Sequence, residues 1–247
     1  LEKQLNDSGS ETIIIAENFL ATLEKIISKT SIKNIIVTSI GEFIGLKGHL
    51  INFVLRYVRK LVPKHNLKNV ISFKQALKIG SQKKLQPIKI DKEDIAFLQY
   101  TGGTTGILKA AMLSHKNILA NAAQVKEWLG SQLRFGEDIA ICALPLYHIF
   151  ALTCNSIVFF YFGSNNILIT NPRDTPNFVK ELRKRKFTFI SGVNTLFNNL
   201  MNDPNFTKCD FSKLNISIAG GMPVQKTVAE KWHSITGCVL VVGYGLS

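Results

Sequence analysis

Residues 100–109 read Tyr-Thr-Gly-Gly-Thr-Thr-Gly-Ile-Leu-Lys and follow directly after the apolar run Ile95 to Leu98. Glycine allows a positive φ and a close approach of a ligand to the backbone. Backbone N–H groups and threonine hydroxyls can donate hydrogen bonds to phosphate oxygens. Lys109 adds a cation where the glycine-rich segment ends. A tight hairpin turn needs only two such residues, so this density of glycine and threonine predicts a phosphate-binding loop.

The spacing within this loop disfavours two common nucleotide-binding fingerprints. A Walker A loop requires Gly-Lys-Ser/Thr without interruption, but here two apolar residues separate Gly106 from Lys109, and Ala110 follows. The Rossmann pattern of glycines is not matched either. A Walker-type ATPase is therefore the least favoured of the nucleotide-binding classes considered.

On both sides of the loop, short β-branched runs alternate with amphipathic stretches of helical period. The predicted strands are Thr12 to Ile15, Asn34 to Ser39, Ile139 to Leu144, Asn166 to Thr170, Phe187 to Ser191, Asn215 to Ala219 and Val239 to Val242. The predicted helices are Ala16 to Ser28, Ser114 to Leu129, Pro176 to Lys186, Thr195 to Met201 and Pro223 to Ile235. This order predicts an α/β fold with largely parallel sheets flanked by helices.

The domain organisation is predicted from a change in composition near residue 90. A polar, basic stretch spans residues 66–91. We expect residues 1–90 to form part of a first α/β subdomain and residues 91–247 to form a second one that carries the phosphate loop. In an open α/β sheet, ligands bind beyond the carboxyl ends of the strands. Tyr100, Pro145, Gly220 and Gly243 are each expected at such an end.

The positive charge is concentrated in one part of the chain. The sequence has 30 basic and 17 acidic residues, a formal net charge of +13, and residues 25–89 hold 14 of the basic residues with Glu42 as their only acid. The remaining 16 basic and 16 acidic residues balance, so a uniformly basic nucleic-acid-binding protein is not expected. Residues 49–65 predict a basic amphipathic helix. Such a helix can lie on an anionic membrane, or it can pack against the rest of the protein with its basic face in solvent.

The cysteines and the apolar runs exclude further classes. Cys142, Cys154, Cys209 and Cys238 have neither zinc-knuckle nor thioredoxin-like spacing, which predicts reduced thiols in the core of a cytosolic protein. The longest apolar run, residues 149–162, contains polar residues and is too short to span a bilayer. No signal peptide is predicted. The start at Leu1 and the end at Ser247 in a glycine-rich turn lead us to expect an internal piece of a longer chain.

Three more segments, in chain order, accompany the phosphate loop: Leu144-Pro-Leu-Tyr-His-Ile-Phe150, Ala219-Gly-Gly-Met-Pro223 and Gly243-Tyr-Gly-Leu-Ser247. Together these four motifs resemble the adenylate-forming superfamily of acyl-CoA synthetases, luciferases and peptide-synthetase adenylation domains. Leu5-Asn-Asp-Ser-Gly9, Asn171-Pro-Arg-Asp174 and Gly192-Val-Asn-Thr-Leu-Phe197 extend the resemblance over essentially the whole chain. The likeness is greatest to the bacterial long-chain fatty-acid:CoA ligase family, in its large N-terminal domain.

The resemblance implies two half-reactions. A fatty-acid carboxylate attacks the α-phosphate of Mg²⁺-bound ATP to give acyl-AMP and pyrophosphate, and the thiol of coenzyme A then displaces AMP. A cytoplasmic enzyme is implied, with peripheral attachment to the inner face of the membrane and a homodimer both left open. The preferred chain length of the fatty acid is not fixed by the sequence.

The resemblance also implies roles for individual residues. The implied ATP-binding residues are Tyr100, Thr101, Gly102, Gly103, Thr104, Thr105, Gly106, Lys109, Gly220, Gly221, Met222, Pro223, Gly243, Tyr244 and Gly245. Tyr244 would pack on the adenine ring, and Thr101 would help to hold Mg²⁺. Lys109 and His148 would act in catalysis, and the acyl pocket would be lined by His148, Gly192, Val193 and Gly220.

Two positions depart from the family pattern. Ala110 follows Lys109 where glycine is usual, so a positive φ there would be strained. Ser247 replaces the usual threonine, and the family's Mg²⁺-binding glutamate and mobile C-terminal domain lie beyond it. We therefore expect residues 1–247 alone to be inactive. A non-catalytic nucleotide- or lipid-binding module, or a degenerate homologue, is the alternative to an active ligase.

Overall fold

The computed structural model describes residues 1–101 and 109–245. The predicted phosphate loop from Gly102 to Gly106 lies outside the described residues, as does Ser247. The chain divides into two compact units, one made of Leu1–Ile90 with Lys109 and the other of Asp91–Thr101 together with residues 110–245.

The first unit is built on a three-stranded parallel sheet. Its strands are β1 (Thr12–Ala16), β2 (Asn34–Thr38) and β3 (Val70–Ser72), in the order β1-β2-β3. Its helices are α1 (Glu2–Ser8), α2 (Leu20–Glu24), α3 (Gly45–Phe53) and α4 (Phe73–Ser81), with 3₁₀ turns at Glu17–Phe19 and Ile27–Lys29 and a π-helical turn at Val54–Val58. Leu5, Ile15, Leu20, Leu23 and Ile35 form its buried core.

The single helix predicted from Ala16 to Ser28 is wrong, because this stretch breaks into α2 and two 3₁₀ turns. Glu17 in the first turn is buried and lies 2.7 Å from Arg56, so its side chain is held inward by an ion pair. At the other end, the neighbouring residues Ile26 and Ile27 both pack against the core. β-branched residues also lower helix propensity, and these local demands interrupt the regular helix.

The predicted basic helix at residues 49–65 begins earlier and ends earlier than expected. Helical structure runs from Gly45 through the π-helical turn that ends at Val58. Lys60 has a φ of 49°, which a continuing helix cannot accommodate.

The second unit is built on a five-stranded parallel sheet and a separate two-stranded sheet. The strands are β4 (Ile95–Thr101), β5 (Lys109–Ser114), β6 (Ile139–Cys142), β7 (Asn165–Leu168), β8 (Phe189–Gly192), β9 (Ile216–Ala219) and β10 (Leu240–Val242). The large sheet has the order β10-β9-β8-β6-β7, and β4 pairs with β5. The helices are α5 (His115–Leu129), α6 (Ile149–Ala151), α7 (Phe159–Tyr161), α8 (Thr175–Leu182), α9 (Asn194–Met201) and α10 (Lys226–Thr236). A π-helical turn at Leu152–Val158 joins α6 to α7, and 3₁₀ turns lie at Gly130–Gln132 and Phe206–Lys208.

Helices cover both faces of the five-stranded sheet. On one face, α8, α9 and α10 bury aromatic side chains, among them Phe178, Phe197 and Trp232. On the other face, α5 and the segment from α6 to α7 pack against residues such as Ala140, Phe189 and Ile218. The predicted α/β fold with parallel sheets flanked by helices is confirmed.

The helix predicted to start at Pro223 begins instead at Lys226, after the N-cap residue Gln225. Gln225 is extended, and its backbone N–H donates to Oδ1 of Asn194 at 3.0 Å. This contact holds the preceding residues in a loop, so Pro223 lies outside the helix. The helix predicted to run to Lys186 likewise ends early, at Leu182.

The four cysteines are free thiols, as predicted, and Cys142, Cys209 and Cys238 are buried. Burial raises the pKa of Cys142, Cys154 and Cys209 to about 11, so these thiols stay protonated at neutral pH. Across the described ranges, every helix is too short or too polar to cross a bilayer.

Candidate functional site

Four loops meet at the carboxyl edge of the five-stranded sheet. Because β6, β8, β9 and β10 are parallel neighbours, their C-terminal ends lie along the same edge. The loops that leave these ends begin at Ala143, Val193, Gly220 and Gly243. Ligands of open α/β sheets bind at this kind of edge.

The loops after β8, β9 and β10 are joined through the backbone. The N–H of Gly220 donates to the carbonyl of Gly192 at 3.1 Å, and the N–H of Gly243 donates to the carbonyl of Ala219 at 2.8 Å. Each bond continues the ladder by one residue beyond a strand. The predicted residues Gly192, Gly220 and Gly243 therefore lie side by side.

Gly220 lies close to atoms of two neighbouring loops. A Cβ atom added there would lie 3.0 Å from Cε1 of Phe150 and 3.2 Å from the carbonyl oxygen of Gly243. Phe150 belongs to the segment that carries His148, so the first and third of the four loops also touch. The φ of Gly220 is not positive, so its backbone conformation does not require glycine. Glycine is needed at this position because the neighbouring atoms leave no room for a Cβ.

The loop from Gly221 to Gln225 is shaped by backbone conformation and by one side chain. Gly221 has a φ of 75°, which glycine adopts without strain. Asn194, at the start of α9, is buried and accepts from the N–H of Gln225. Met222 and Pro223 are exposed between these two fixed points, where they are available to a ligand.

His148 is the N-cap of the helical segment that starts at Ile149. Its Nδ1 accepts from the N–H of Phe150 at 3.3 Å, which holds the ring against the start of the helical segment. The side chain is exposed above the sheet edge. An imidazole fixed in this way suits a hydrogen bond to a carboxylate.

Tyr244 follows β10 and presents its ring to solvent, with 91% of the residue exposed. An aromatic ring this accessible next to a ligand-binding edge offers a surface for stacking. Gly243 and Gly245 on either side carry no side chain that would obstruct it.

The phosphate-loop segment is placed differently from the other motifs. Tyr100 and Thr101 are the last two residues of β4, and Lys109 is the first residue of β5. These strands form their own two-stranded sheet. Tyr100 therefore lies at the carboxyl end of a strand, as expected, but that strand is outside the sheet that carries the loops of Pro145, Gly220 and Gly243. The physical reason is that β4 pairs with β5, a strand that was not predicted from the sequence.

Ala110 carries no backbone strain. It lies within β5, and among the described residues only Lys60 and Asn69 are non-glycine residues with positive φ. Alanine in place of the family's usual glycine is therefore compatible with the backbone here.

The four loops at the sheet edge, residues 143–148, 193, 220–225 and 243–245, contain no Asp, Glu, Lys or Arg. No group of three or more His, Cys, Asp or Glu residues that could hold a metal ion occurs in residues 1–101 and 109–245. Below the edge, Sγ of Cys142 donates to the carbonyl of Leu144 at 3.6 Å, and burial raises the pKa of this thiol to about 11. A neutral edge of this kind leaves the charges of an anionic ligand to be balanced by other groups.

Two residues of this edge were not assigned a role from the sequence. Phe150 packs on Gly220, and Asn194 fixes the loop before α10. Both lie within segments that carry the family resemblance, and this was the only sign in the sequence of a role for them. The pairing itself depends on which strands are neighbours, and a sequence pattern does not carry that information.

Comparison with known proteins gives consistent matches over the whole chain. The sequence profile of the AMP-binding enzyme family matches residues 1–247. The chain is 52% identical over 248 residues to the long-chain-fatty-acid--CoA ligase of Salmonella typhimurium, covering 100% of this chain and 44% of that protein. It is 49% identical over 252 residues to the ligase of the same name from Haemophilus influenzae, with the same two coverages. The crystal structure of apo MatB from Rhodopseudomonas palustris shares the fold, with a TM-score of 0.72 at 20% identity, covering 100% of this chain and 42% of that one. The chain thus spans less than half the length of these relatives.

Proposed function

Because the chain belongs to the AMP-binding enzyme family, we propose that the full-length protein activates a long-chain fatty acid as acyl-AMP and transfers the acyl group to coenzyme A. The relatives that match the whole chain at about half identity carry the name of this activity. The observation that carries the proposal is the contact between the loops of His148, Gly192, Gly220 and Gly243 at one sheet edge.

In the first half-reaction, a carboxylate oxygen attacks the α-phosphorus of ATP. The new P–O bond forms as the bond to the β-phosphate breaks, and pyrophosphate leaves with that electron pair. We assign Gly192 and Val193 to the acyl chain and His148 to the carboxylate, where the imidazole would orient it. Holding the two reactants in line at this edge supplies much of the rate enhancement of such a transfer.

The nucleotide is assigned to the loops after β9 and β10. The exposed ring of Tyr244 would stack on adenine, and residues 220–223 would line the base and the α-phosphate. Tyr100, Thr101 and Lys109, with the glycines and threonines between them, are assigned to the β- and γ-phosphates. In the second half-reaction the thiolate sulfur of coenzyme A attacks the acyl carbon, and the bond from that carbon to AMP breaks.

Magnesium fits this assignment as an ion that arrives with ATP. Mg²⁺ keeps several waters and binds mainly through substrate phosphates and one or two protein oxygens. The hydroxyl of Thr101 would be one such oxygen, and the described residues contain no group of three or more His, Cys, Asp or Glu that could hold a metal ion. The ion would neutralise phosphate charge, which the nearly uncharged sheet edge does not do.

The test of this function is pyrophosphate exchange into ATP by the full-length protein with fatty acids of increasing chain length. Exchange that depends on added long-chain acid supports the proposal. Nucleotide binding without exchange would instead indicate the binding module. One reason for that alternative was the expected backbone strain at Ala110. Because Ala110 lies in a strand without such strain, this reason no longer applies.

We also propose that the protein attaches peripherally to the anionic inner face of the cytoplasmic membrane. The surface we call the apolar-basic face comprises Leu46, Leu50, Phe53, Tyr57, Val58 and Leu61, each more than half exposed, with Lys47, Arg59 and Lys60 beside them. Apolar side chains can enter the headgroup region while the cations contact anionic lipid at about 1 kcal/mol each. Arg56 is left out because it pairs with Glu17.

Sedimentation with anionic vesicles tests this attachment. The Arg59→Gln/Lys60→Gln variant should bind less than the wild type, and binding should fall steeply as salt is raised, because exposed charges are screened over about 10 Å at 0.1 M. Lys180→Gln/Lys213→Gln removes two exposed cations from the second unit and serves as the control. Equal losses in both variants, or binding that ignores salt, would contradict the proposal. The homodimer stays a prediction.

A further inference from the structure

The helical segment that carries His148 contains an unusual turn. Between α6 and α7, residues Leu152–Val158 form a π-helical turn. Such turns are rare, and within α-helices they occur frequently at functional sites. A π-helical turn persists only where its surroundings hold it, so the contacts of this turn are informative.

Asn155, in the middle of the turn, is fully buried and touches three neighbouring strands. Its Nδ2 donates to the carbonyl of Ile141 in β6 at 3.2 Å, and its Oδ1 accepts from Oγ of Ser191 in β8 at 2.6 Å. Its backbone carbonyl accepts from Nδ2 of Asn166 in β7 at 2.8 Å. Both polar atoms of the amide are therefore paired with the sheet.

Ser191 connects this network to the proposed site. It is also fully buried, and it directly precedes Gly192 at the end of β8. The bond between Ser191 and Asn155 thus joins the strand that ends in Gly192 to the helical segment that begins after His148. A leucine at position 155 would fill the same space without needing partners, whereas a buried amide is favourable only in one orientation.

We propose that Asn155 and Ser191 form a positioning pair for fatty-acid adenylation. Their hydrogen bond fixes the π-helical turn on the sheet and so sets the position of His148 relative to Gly192, where the carboxylate and the start of the acyl chain would lie. The pair does not touch substrate. The expected change in rate rests on the proposed function. The hydrogen bonds that hold the pair do not depend on it.

A purely structural role is the rival explanation, and Ser217 provides a matched control. Ser217 is fully buried in the adjacent strand β9, where its Oγ accepts from Nε1 of Trp232 at 3.1 Å. Its register partner in β8 is Ile190, so it faces the opposite side of the sheet from Ser191. Ser191→Ala and Ser217→Ala each remove one buried hydroxyl with one strong partner. Each should lower the melting temperature by about 2–8 °C.

The kinetic test uses pyrophosphate exchange by the full-length protein. Ser191→Ala and Asn155→Leu should each lower kcat by about tenfold while the KM for ATP stays within about twofold, because misplacement by 1 Å costs on the order of 10² in rate. The double variant should lose no more than the worse single variant, because both act through one bond. Ser191→Cys, which keeps a weak donor, should recover part of the rate. Ser217→Ala should stay within about twofold of wild type.

A second readout does not depend on activity. In protein labelled with ¹³C at histidine, the ring signal of His148, assigned with His148→Ala, should move in Ser191→Ala and stay in place in Ser217→Ala. Equal kinetic losses in the two serine variants, or a His148 signal that is unmoved in Ser191→Ala, would overturn the positioning role. If the wild type shows no exchange, the proposed function fails, and the histidine signal alone decides whether the pair positions His148.

Discussion

Replacing Gly220 with alanine changes one methyl group at the centre of the proposed site. The backbone there has no positive φ, so alanine is conformationally allowed. The new Cβ would lie 3.0 Å from Cε1 and 3.2 Å from Cζ of Phe150, and 3.2 Å from the carbonyl oxygen of Gly243. Ordinary van der Waals contacts begin near 3.5 Å. Either the Phe150 ring or the loop of Gly243 must therefore move by roughly half an ångström.

The size of the effect follows from this displacement. Overpacking by one carbon in a close-packed region costs about 1–3 kcal/mol, so the variant should fold with a reduced melting temperature. The rate should suffer more, because a shift of 1 Å between reacting groups costs on the order of 10²-fold. A shift of half that size predicts a loss of about tenfold in fatty-acid-dependent pyrophosphate exchange by the full-length protein.

Gly80→Ala is the matched control for this substitution. Gly80 lies in α4, where an added Cβ meets open space and φ is not positive. Alanine in a helix is favoured over glycine by about 0.5–1 kcal/mol, so this variant should be as stable as wild type or more stable, with unchanged exchange. Wild-type exchange in Gly220→Ala, measured alongside its melting temperature, would refute the idea that this edge holds the reactants.

Three further expectations concern the loop, a thiol and the core. Thr104→Ala/Thr105→Ala should sharply reduce acyl-AMP formation with little change in melting temperature, and equal loss of fold and activity would count against a phosphate-binding role. Because burial raises the pKa of Cys142 to about 11 and the side chain is almost fully buried, this thiol should resist alkylation in the folded protein at pH 8 and react after unfolding in urea. Rapid alkylation of Cys142 in the folded protein at pH 8 would contradict this. Trp232→Ala should cost about 3–5 kcal/mol of unfolding free energy, since the side chain is fully buried. The exposed Trp128→Ala should cost under about 0.5 kcal/mol, and similar losses in urea unfolding would contradict the core assignment.

The sequence was informative where burial on both faces of a sheet dictates composition. The run that became β6, Ile139–Cys142, is apolar at every position and three of its four residues are buried, because helices cover this parallel sheet on both sides. The glycine-rich segments after β9 and β10 were predicted as strand-end turns for a related reason. Close approach between neighbouring loops excludes side chains, and that exclusion is visible as glycine in the sequence.

The errors arose where tertiary contacts outweigh local preference. The start of α10 moved from Pro223 to Lys226 because Asn194 holds the N–H of Gln225. The stretch from Ala16 to Ser28 broke because buried Glu17 pairs with Arg56, 39 residues away. The helical spacing of apolar residues gives no indication of the contacts with Asn194 and Arg56.

The pairing between Asn155 and Ser191 was equally hidden. In the sequence, Asn155 is one polar residue inside an apolar run, and Ser191 is one hydroxyl in a strand. Their 2.6 Å contact exists only because β6 and β8 are neighbours and the helix between α6 and α7 widens into a π-helical turn. The order of the strands in the sheet therefore brings these two residues together, and the sequence does not show that order.

Hydrogen exchange with a stable acyl-AMP analogue, such as the N-palmitoylsulfamate of adenosine, tests the central claim most directly. If one adenylation site is built on the sheet edge, the analogue should protect the loops that follow β6, β8, β9 and β10 together in the full-length protein. Helix α4, Phe73–Ser81, should exchange at an unchanged rate. Protection confined to one loop, or found away from this edge, would contradict the account.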